Sequence, residues 1–156
     1  MILQQFTATI PRGFRGNVAY RFQLPDKLQR LGLKLQYNKE HIPDPSRYLQ
    51  RFQTELRPQL STYLGHTANE AELLQAISSM KTEIQLCLMV QDRFVGNVHV
   101  PGTTKELWVS ADAASHGCLP CSTLKGMAEV IVYVLGVMET DVSWQLNVIG
   151  ETGETL

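Results

Sequence analysis

The sequence lacks an even number of cysteines, and it lacks a long apolar run. The three cysteines, Cys87, Cys118 and Cys121, are an odd number, which argues against the disulfide framework of a small secreted protein. The longest apolar run, VIVYVLGVM at 130–138, is well short of the roughly 20 residues that a membrane-spanning helix needs. The first residues also lack a signal-peptide layout, because their basic side chains follow the apolar ones. We therefore expect a cytoplasmic protein with no membrane partner.

An excess of either charge is also missing. The 14 lysines and arginines nearly balance the 15 aspartates and glutamates, so that the formal net charge is −1. A nucleic-acid-binding surface needs a basic field that neutralises phosphates, and we expect no nucleic-acid partner. With 156 residues, 44% of them hydrophobic and 19% charged, the chain is long enough to bury a core. We predict one soluble domain over 1–156.

Most of the chain alternates between apolar and polar residues. In NVAYRFQL, the side chains of Val18, Tyr20, Phe22 and Leu24 share one face. A period of two residues is typical of half-buried antiparallel strands. The pattern recurs in ILQQFTATI, LGLKLQYNK, EIQLCLMV, FVGNVHV, ELWVS, MAEVIVYVLGV and SWQLNVIG. We predict a mostly β fold, a jelly-roll-like antiparallel β-sandwich of about eight strands.

The pattern changes in one block, which we predict to be a two-helix insertion at about 44–81. An Asp-Pro pair at its start is typical of a helix N-terminus, and Pro58 should kink or end the first helix. Thr67 and Glu70 have capping-box spacing for a second helix. The apolar stripes of the two helices are Tyr48, Phe52, Leu56 and Leu60, then Leu73, Leu74, Ile77 and Met80. Such an insertion is a candidate surface for homo-oligomer formation.

Two stretches near the C-terminus need separate predictions. The segment MAEVIVYVLGV at 127–137 is rich in β-branched side chains, which favours a strand. The alternative is an α+β domain in which residues 122–138 form a helix behind the cysteine pair. Alternation stops at Gly150, and we expect 151–156 to be frayed.

Two segments carry a resemblance to a known domain type. YRFQLPDKLQRLGLKLQYNKE has a strand–turn–strand pattern, and LWVSADAASHGCLPCSTLKGMAEVIVYVLGVMETDVSWQLNVIG resembles the end of the same domain. Both are similar to the β-sandwich that precedes the catalytic domain in some PHP-type metal-dependent phosphoesterases. The matching loop positions are Ala114, Ser115, Gly117, Leu119, Pro120 and Gly126, whereas His116, Cys118 and Cys121 replace its usual proline, aromatic residue and glycine. The resemblance implies an accessory or binding module without phosphoesterase activity, since the His-x-His metal ligands are absent.

The segment SHGCLPCSTLKG at 115–126 has the composition of a reactive site. Cys118 and Cys121 have CxxC spacing, and His116 lies beside them. A redox dithiol is expected at a helix N-terminus in a βαβ unit, and a zinc site needs four nitrogen, sulfur or oxygen ligands. The sequence indicates neither context, so a structural loop is the favoured interpretation. Metal binding or thiol chemistry by these three residues stays open.

Four other residues are candidates for ligand binding. Arg12 and Arg15 in PRGFRGN would hold an anion together with backbone N–H groups, unless this segment is only a flexible hairpin connection. His99 and Trp108 would belong to a ligand face if one side of the sandwich is concave. Otherwise His99 is a solvent-facing strand histidine.

These patterns favour a non-catalytic module that binds a small ligand or a partner protein and needs no cofactor. The alternative is a thiol, redox or metal-binding protein that uses the Cys118–Cys121 pair.

Overall fold

Two antiparallel sheets make up most of the fold in the computed structural model, which describes residues 1–153. The eight strands are β1 (Ile2–Ile10), β2 (Gly16–Leu24), β3 (Leu28–Tyr37), β4 (Glu83–Val90), β5 (Arg93–Val98), β6 (Thr104–Ser110), β7 (Gly126–Gly136) and β8 (Val142–Thr152). The first sheet has the order β1-β8-β3-β6, and the second has the order β2-β7-β4-β5. All neighbouring strands in both sheets are antiparallel. The predicted mostly β sandwich is confirmed.

Strands β7 and β8 decide between the two predictions for residues 122–138 and test the predicted fraying of the C-terminus. Because β7 forms the middle of the second sheet between β2 and β4, the alternative with a helix over 122–138 is wrong. Its β-branched residues at alternate positions, such as Val130 and Val132, are fully buried between the sheets. β8 continues to Thr152, so the predicted fraying from residue 151 is also wrong at its start. Residues 154–156 lie outside the described part of the chain.

The core lies between the two sheets and follows the two-residue period of each strand. Inward positions of β3, β4, β7 and β8 are almost completely buried. Trp144 on β8 reaches the edge of this layer, where its indole Nε1 donates a hydrogen bond to the Tyr20 hydroxyl at 3.1 Å. The Tyr20 ring stacks on Phe6 with centroids 4.4 Å apart. These contacts join β1, β2 and β8 across the two sheets.

The helical insertion lies between β3 and β4. A 3₁₀ turn (Pro45–Tyr48) leads into α1 (Leu49–Leu64), which is followed by α2 (Glu70–Ser79). α1 continues through Pro58, so the predicted end of the helix near this residue is wrong. Pro58 removes only the N–H that would bond to the Thr54 carbonyl, and both residues are exposed, so water can bind that carbonyl instead. None of the described helices has the length and apolar character that crossing a bilayer requires.

The second helix begins two residues later than the sequence predicts. Asn69 is the N-cap, and its side chain accepts a hydrogen bond from Glu72 N at 2.9 Å. The Glu72 carboxylate in turn accepts one from Asn69 N at 2.9 Å. The capping box is therefore Asn69–Glu72 rather than Thr67–Glu70. Asn ranks above Thr as an N-cap residue, which agrees with this choice.

The insertion is built around a small core of its own. Its fully buried apolar side chains are Ala68, Leu73 and Ile77, next to the nearly buried Ile42. Where it leaves and re-enters the sandwich, Thr82 N donates to Glu40 O at 2.6 Å. His41 and Lys81 form a β-bridge beside that bond. The two ends of the insertion are thus held together as a short stem.

The CxxC segment closes one edge of the sandwich. β5 and β6 are edge strands of the two sheets, and the loop that contains Cys118 bonds to both of them. Leu119 N donates to Val95 O at 2.7 Å on β5. Ser115 N donates to Trp108 O at 2.9 Å on β6. This loop occupies edges that would otherwise be free to pair with another chain, which supports its interpretation as a structural loop.

Gly117 at the tip of this loop allows a stability prediction. Its φ is +81°, and a Cβ there would lie 2.3 Å from the Asn97 carbonyl oxygen. We expect Gly117→Ala to lower the free energy of unfolding by about 2–4 kcal/mol, from left-handed backbone strain together with the clash. Urea denaturation measures the change.

Gly13→Ala is the matched control for this prediction. Gly13 has a φ of +82°, and a Cβ at this position would have nothing within 4 Å, so only the backbone strain of about 1–2 kcal/mol is expected. Equal losses in the two variants would mean that the packing of the loop on β5 contributes nothing.

Candidate functional site

A polar cavity lies where the stem of the insertion meets the end of the sandwich. Its volume is about 190 Å³, and its polar side chains include those of Tyr37, Glu40, Lys81, Glu83, His99 and Lys105. These residues come from the end of β3, the two ends of the insertion, the starts of β4 and β6, and the connection between β5 and β6. The sandwich and the insertion both contribute to its wall.

Lys105 is the most deeply buried charged residue of the cavity. The alternation of β6 turns Lys105 inward together with Leu107 and Val109, and only 2% of Lys105 is exposed. Its ammonium donates hydrogen bonds to the Gly102 carbonyl at 2.8 Å and to the Val100 carbonyl. Both carbonyls belong to the β5–β6 connection, which therefore wraps around the end of the lysine side chain.

Tyr37 lies next to Lys105 because of the strand register. Lys105 pairs with Leu35 on β3, so Tyr37, two residues further, is its diagonal neighbour on the same inward face. The Lys105 ammonium lies 5.7 Å from the centre of the Tyr37 ring. The Tyr37 hydroxyl donates to the Gly102 carbonyl at 3.0 Å. Gly102 has a φ of +97°, a conformation that glycine adopts without strain.

Burial shifts the pKa of both residues. Burial is the largest cause of the lowered pKa of Lys105; the nearby charge of Lys81 lowers it further, while Glu40 and Glu83 raise it. Burial likewise raises the pKa of Tyr37, with additional contributions from Glu40 and Glu83. Both shifts favour the neutral form, as expected where water is excluded.

The two carboxylates of the cavity already have partners. Glu40 accepts a hydrogen bond from Gly102 N at 2.9 Å and lies 3.4 Å from His41 Nε2. Glu83 Oε1 lies 2.7 Å from His99 Nε2. Within residues 1–153, neither Lys81 nor Lys105 has a carboxylate oxygen within 4.0 Å of its ammonium. In this part of the chain, two lysines of the same cavity thus lack a direct anionic partner.

The four residues proposed from sequence for ligand binding lie in three different places. His99 lines the cavity. Trp108 lies on the outer face of the first sheet, where the Arg30 guanidinium covers its ring at 4.1 Å. Arg12 and Arg15 are in the turn between β1 and β2. The structure therefore does not bring these four residues together.

The CxxC residues are free thiols with separate partners. Cys118 Sγ lies 3.5 Å from Ser115 Oγ, and Cys121 Sγ lies 3.5 Å from the Thr123 carbonyl oxygen. Cys118 packs over Gly96, where a Cβ would come within 2.3 Å of its sulfur. His116 is exposed in the adjoining turn. In the described part of the chain, no group of three or more His, Cys, Asp or Glu side chains is arranged to hold a metal ion.

Sequence reasoning missed Lys105, Tyr37, Glu40, Lys81 and Glu83. A signal for Lys105 was present, because in TKELWVS the lysine has the same parity as Leu107 and Val109. A lysine at an inward strand position is unusual and calls for a local partner. The other four residues form two pairs that lie about 40 residues apart in the sequence, on the two sides of the insertion, and only the folded stem brings the pairs together.

Comparison with known proteins gives a family for the chain. A family model described as a family of unknown function (DUF6669) matches residues 2–154. The chain is a member of the DUF6669 family. Searches of curated proteins and of solved structures found no match.

The thiols of this DUF6669 member should differ in reactivity. Cys87 is 6% exposed, and burial, with smaller contributions from Cys118 and Glu129, raises its pKa. We expect a disulfide reagent to titrate Cys118 and Cys121 in the native protein and Cys87 only after unfolding, because the thiolate must form and be reached. Single Cys→Ala variants assign the phases. Three thiols with one common rate would contradict this order.

Lys105 should make stability depend on pH. Between its lowered pKa and the ordinary lysine value of about 10.4, the unfolded chain binds more protons than the folded chain. The Lys105 contribution to the free energy of unfolding therefore rises with pH in this window and is lowest where both states are protonated. We expect the difference between wild type and Lys105→Met to shift in favour of wild type as pH rises through the window, measured by urea denaturation. A difference that does not change with pH would contradict the burial of this charge.

Proposed function

We propose that this DUF6669 domain is a non-catalytic module that binds a small organic anion in the cavity at the stem. One observation carries the proposal: Lys81 and Lys105 line the same cavity, and in residues 1–153 no carboxylate lies within 4.0 Å of either ammonium. Of these two lysines Lys105 is buried, and a buried charge without an ionic partner is costly. Such a cost at a cavity wall is typical of a functional site.

The charges around the cavity favour an anion over a cation. Glu40 and Glu83 are engaged by backbone and histidine donors, so that among the described residues of the cavity the lysines are the groups in need of a counter-ion. The like charge of Lys81 is one cause of the lowered Lys105 pKa, after burial. A carboxylate between the two ammonium groups would relieve this repulsion and accept charge-assisted hydrogen bonds.

The size of the cavity limits the ligand. About 190 Å³ corresponds to the liquid volume of about six water molecules. Drug-sized ligands and most cofactors occupy pockets of roughly 300–1,000 Å³. A short carboxylic acid, or an anion of similar size, fits the available space.

Four further predictions accompany this proposal: the jelly roll, the resemblance to a known β-sandwich, oligomer formation and the cytoplasmic location. The strand orders support a jelly roll, because consecutive strands alternate between the sheets except at the β4–β5 hairpin, much as in the eight-stranded fold with two Greek keys. We propose on this basis the resemblance to the β-sandwich of PHP-type phosphoesterases.

Oligomer formation through the insertion and a cytoplasmic location also stay predictions. α1 has no fully buried residue, which supports the first of these.

Titration with acetate, pyruvate and phosphate at constant ionic strength tests the anion site. We expect chemical-shift changes in NMR spectra to map to the stem and the β5–β6 connection. Lys105→Met and Lys81→Met should each weaken binding about tenfold or more, since a hydrogen bond to a charged group contributes about 1.5–3 kcal/mol.

Lys34→Met is the matched control for the anion titration. Lys34 pairs with Glu106 at 2.8 Å on the outer face of the first sheet, away from the inward face that carries Lys105. This variant should bind as wild type does. The proposal is wrong if no probe binds, or if all three lysine variants lose affinity equally.

A further inference from the structure

We propose that Lys105 captures short 2-oxo acids covalently as an imine, with Lys81 holding the acid's carboxylate. The inference rests on the proposed anion site and adds the class of ligand. It differs from simple anion binding because it needs a carbonyl carbon in the ligand and a nucleophilic amine in the protein.

The surroundings of Lys105 are those that activate a lysine. A lysine becomes a nucleophile near neutral pH when it is desolvated or lies next to another cation. Lys105 is 2% exposed, and Lys81 lines the same cavity. Burial and the charge of Lys81 lower the pKa of Lys105, Glu40 and Glu83 raise it, and the net shift is downward. This net shift increases the fraction of free amine. Lys34, by contrast, is a surface lysine whose ammonium is paired with the Glu106 carboxylate.

The Lys105 side chain is also held in place. Its nitrogen is hydrogen-bonded to the carbonyls of Val100 and Gly102, and the Tyr37 ring lies on one side. Holding the amine at the cavity wall reduces the entropy that a reaction would cost. The carboxylate of the ligand, bound near Lys81, would direct the carbonyl carbon next to it toward this amine.

The reaction balances without an oxidant or reductant. The Lys105 amine forms a bond to the carbonyl carbon, and the carbon–oxygen double bond is replaced by a carbon–nitrogen double bond. The carbonyl oxygen leaves as water with two protons that come from the amine. The Glu83–His99 pair lines the same cavity and would carry protons during the dehydration.

Reductive trapping tests the imine. The wild-type protein is incubated with pyruvate and sodium cyanoborohydride, and the product is analysed by intact mass and peptide mapping. We expect a single adduct whose added mass equals that of pyruvic acid less one oxygen atom, located on Lys105. Labelling of Lys105 should exceed that of Lys34 by about tenfold or more, as expected for an activated amine.

Competition with acetate and two lysine variants test whether labelling requires the proposed site. Acetate has the carboxylate but no ketone. It should slow the labelling of Lys105 in the wild-type protein and leave the labelling of Lys34 unchanged. The competition with acetate uses only the wild-type protein, so a variant that fails to fold cannot affect it. Lys81→Met should reduce the yield at Lys105, and Lys105→Met should remove the adduct.

Labelling spread evenly over exposed lysines, or absent from Lys105, would overturn the inference. If acetate and pyruvate still bind at the stem in the titration, the anion site stands and only the covalent step fails. If neither binds, the proposed function itself fails.

Discussion

The two-residue period of burial between the sheets is the constraint on which the rest of this structure depends. Leu31, Leu33 and Leu35 of β3 lie opposite Val109, Leu107 and Lys105 of β6. A slip of one residue would turn all the leucines outward, so the register is strongly determined by its apolar positions. Lys105 has no freedom in this arrangement: the same register that buries Leu107 and Val109 also turns Lys105 toward the core.

An inward lysine at a strand end is tolerated only if its ammonium reaches polar groups. The β5–β6 connection provides them, since its carbonyls at Val100 and Gly102 accept from Lys105. Glu40 fixes that connection by accepting from Gly102 N. These carbonyls accept hydrogen bonds from Lys105 but do not neutralise its charge.

Much of the fold could be predicted from periodicity, because each strand and helix is encoded within a few neighbouring residues. The helix over 122–138 was correctly disfavoured by its β-branched residues, whereas Pro58 misled because the cost of a proline depends on whether its helix face is solvated. The candidate site was missed for a different reason. Glu40 and Lys81 flank an insertion, and no local pattern reports that its two ends meet beside Lys105. The CxxC attracted attention through its spacing alone, and spacing does not indicate that Cys118 packs on Gly96.

The burial of Lys105 depends on the insertion. The helices bury Leu73 and Ile77 within their own small core, and the sandwich has a complete core between its sheets without them. The insertion contributes the stem to the sandwich. The stem places Glu40 and Lys81 in the wall of the cavity. Without that wall, water would reach the Lys105 ammonium and remove the desolvation that makes its amine unusual. The position of the insertion, between β3 and β4, is therefore best understood through the cavity that it encloses.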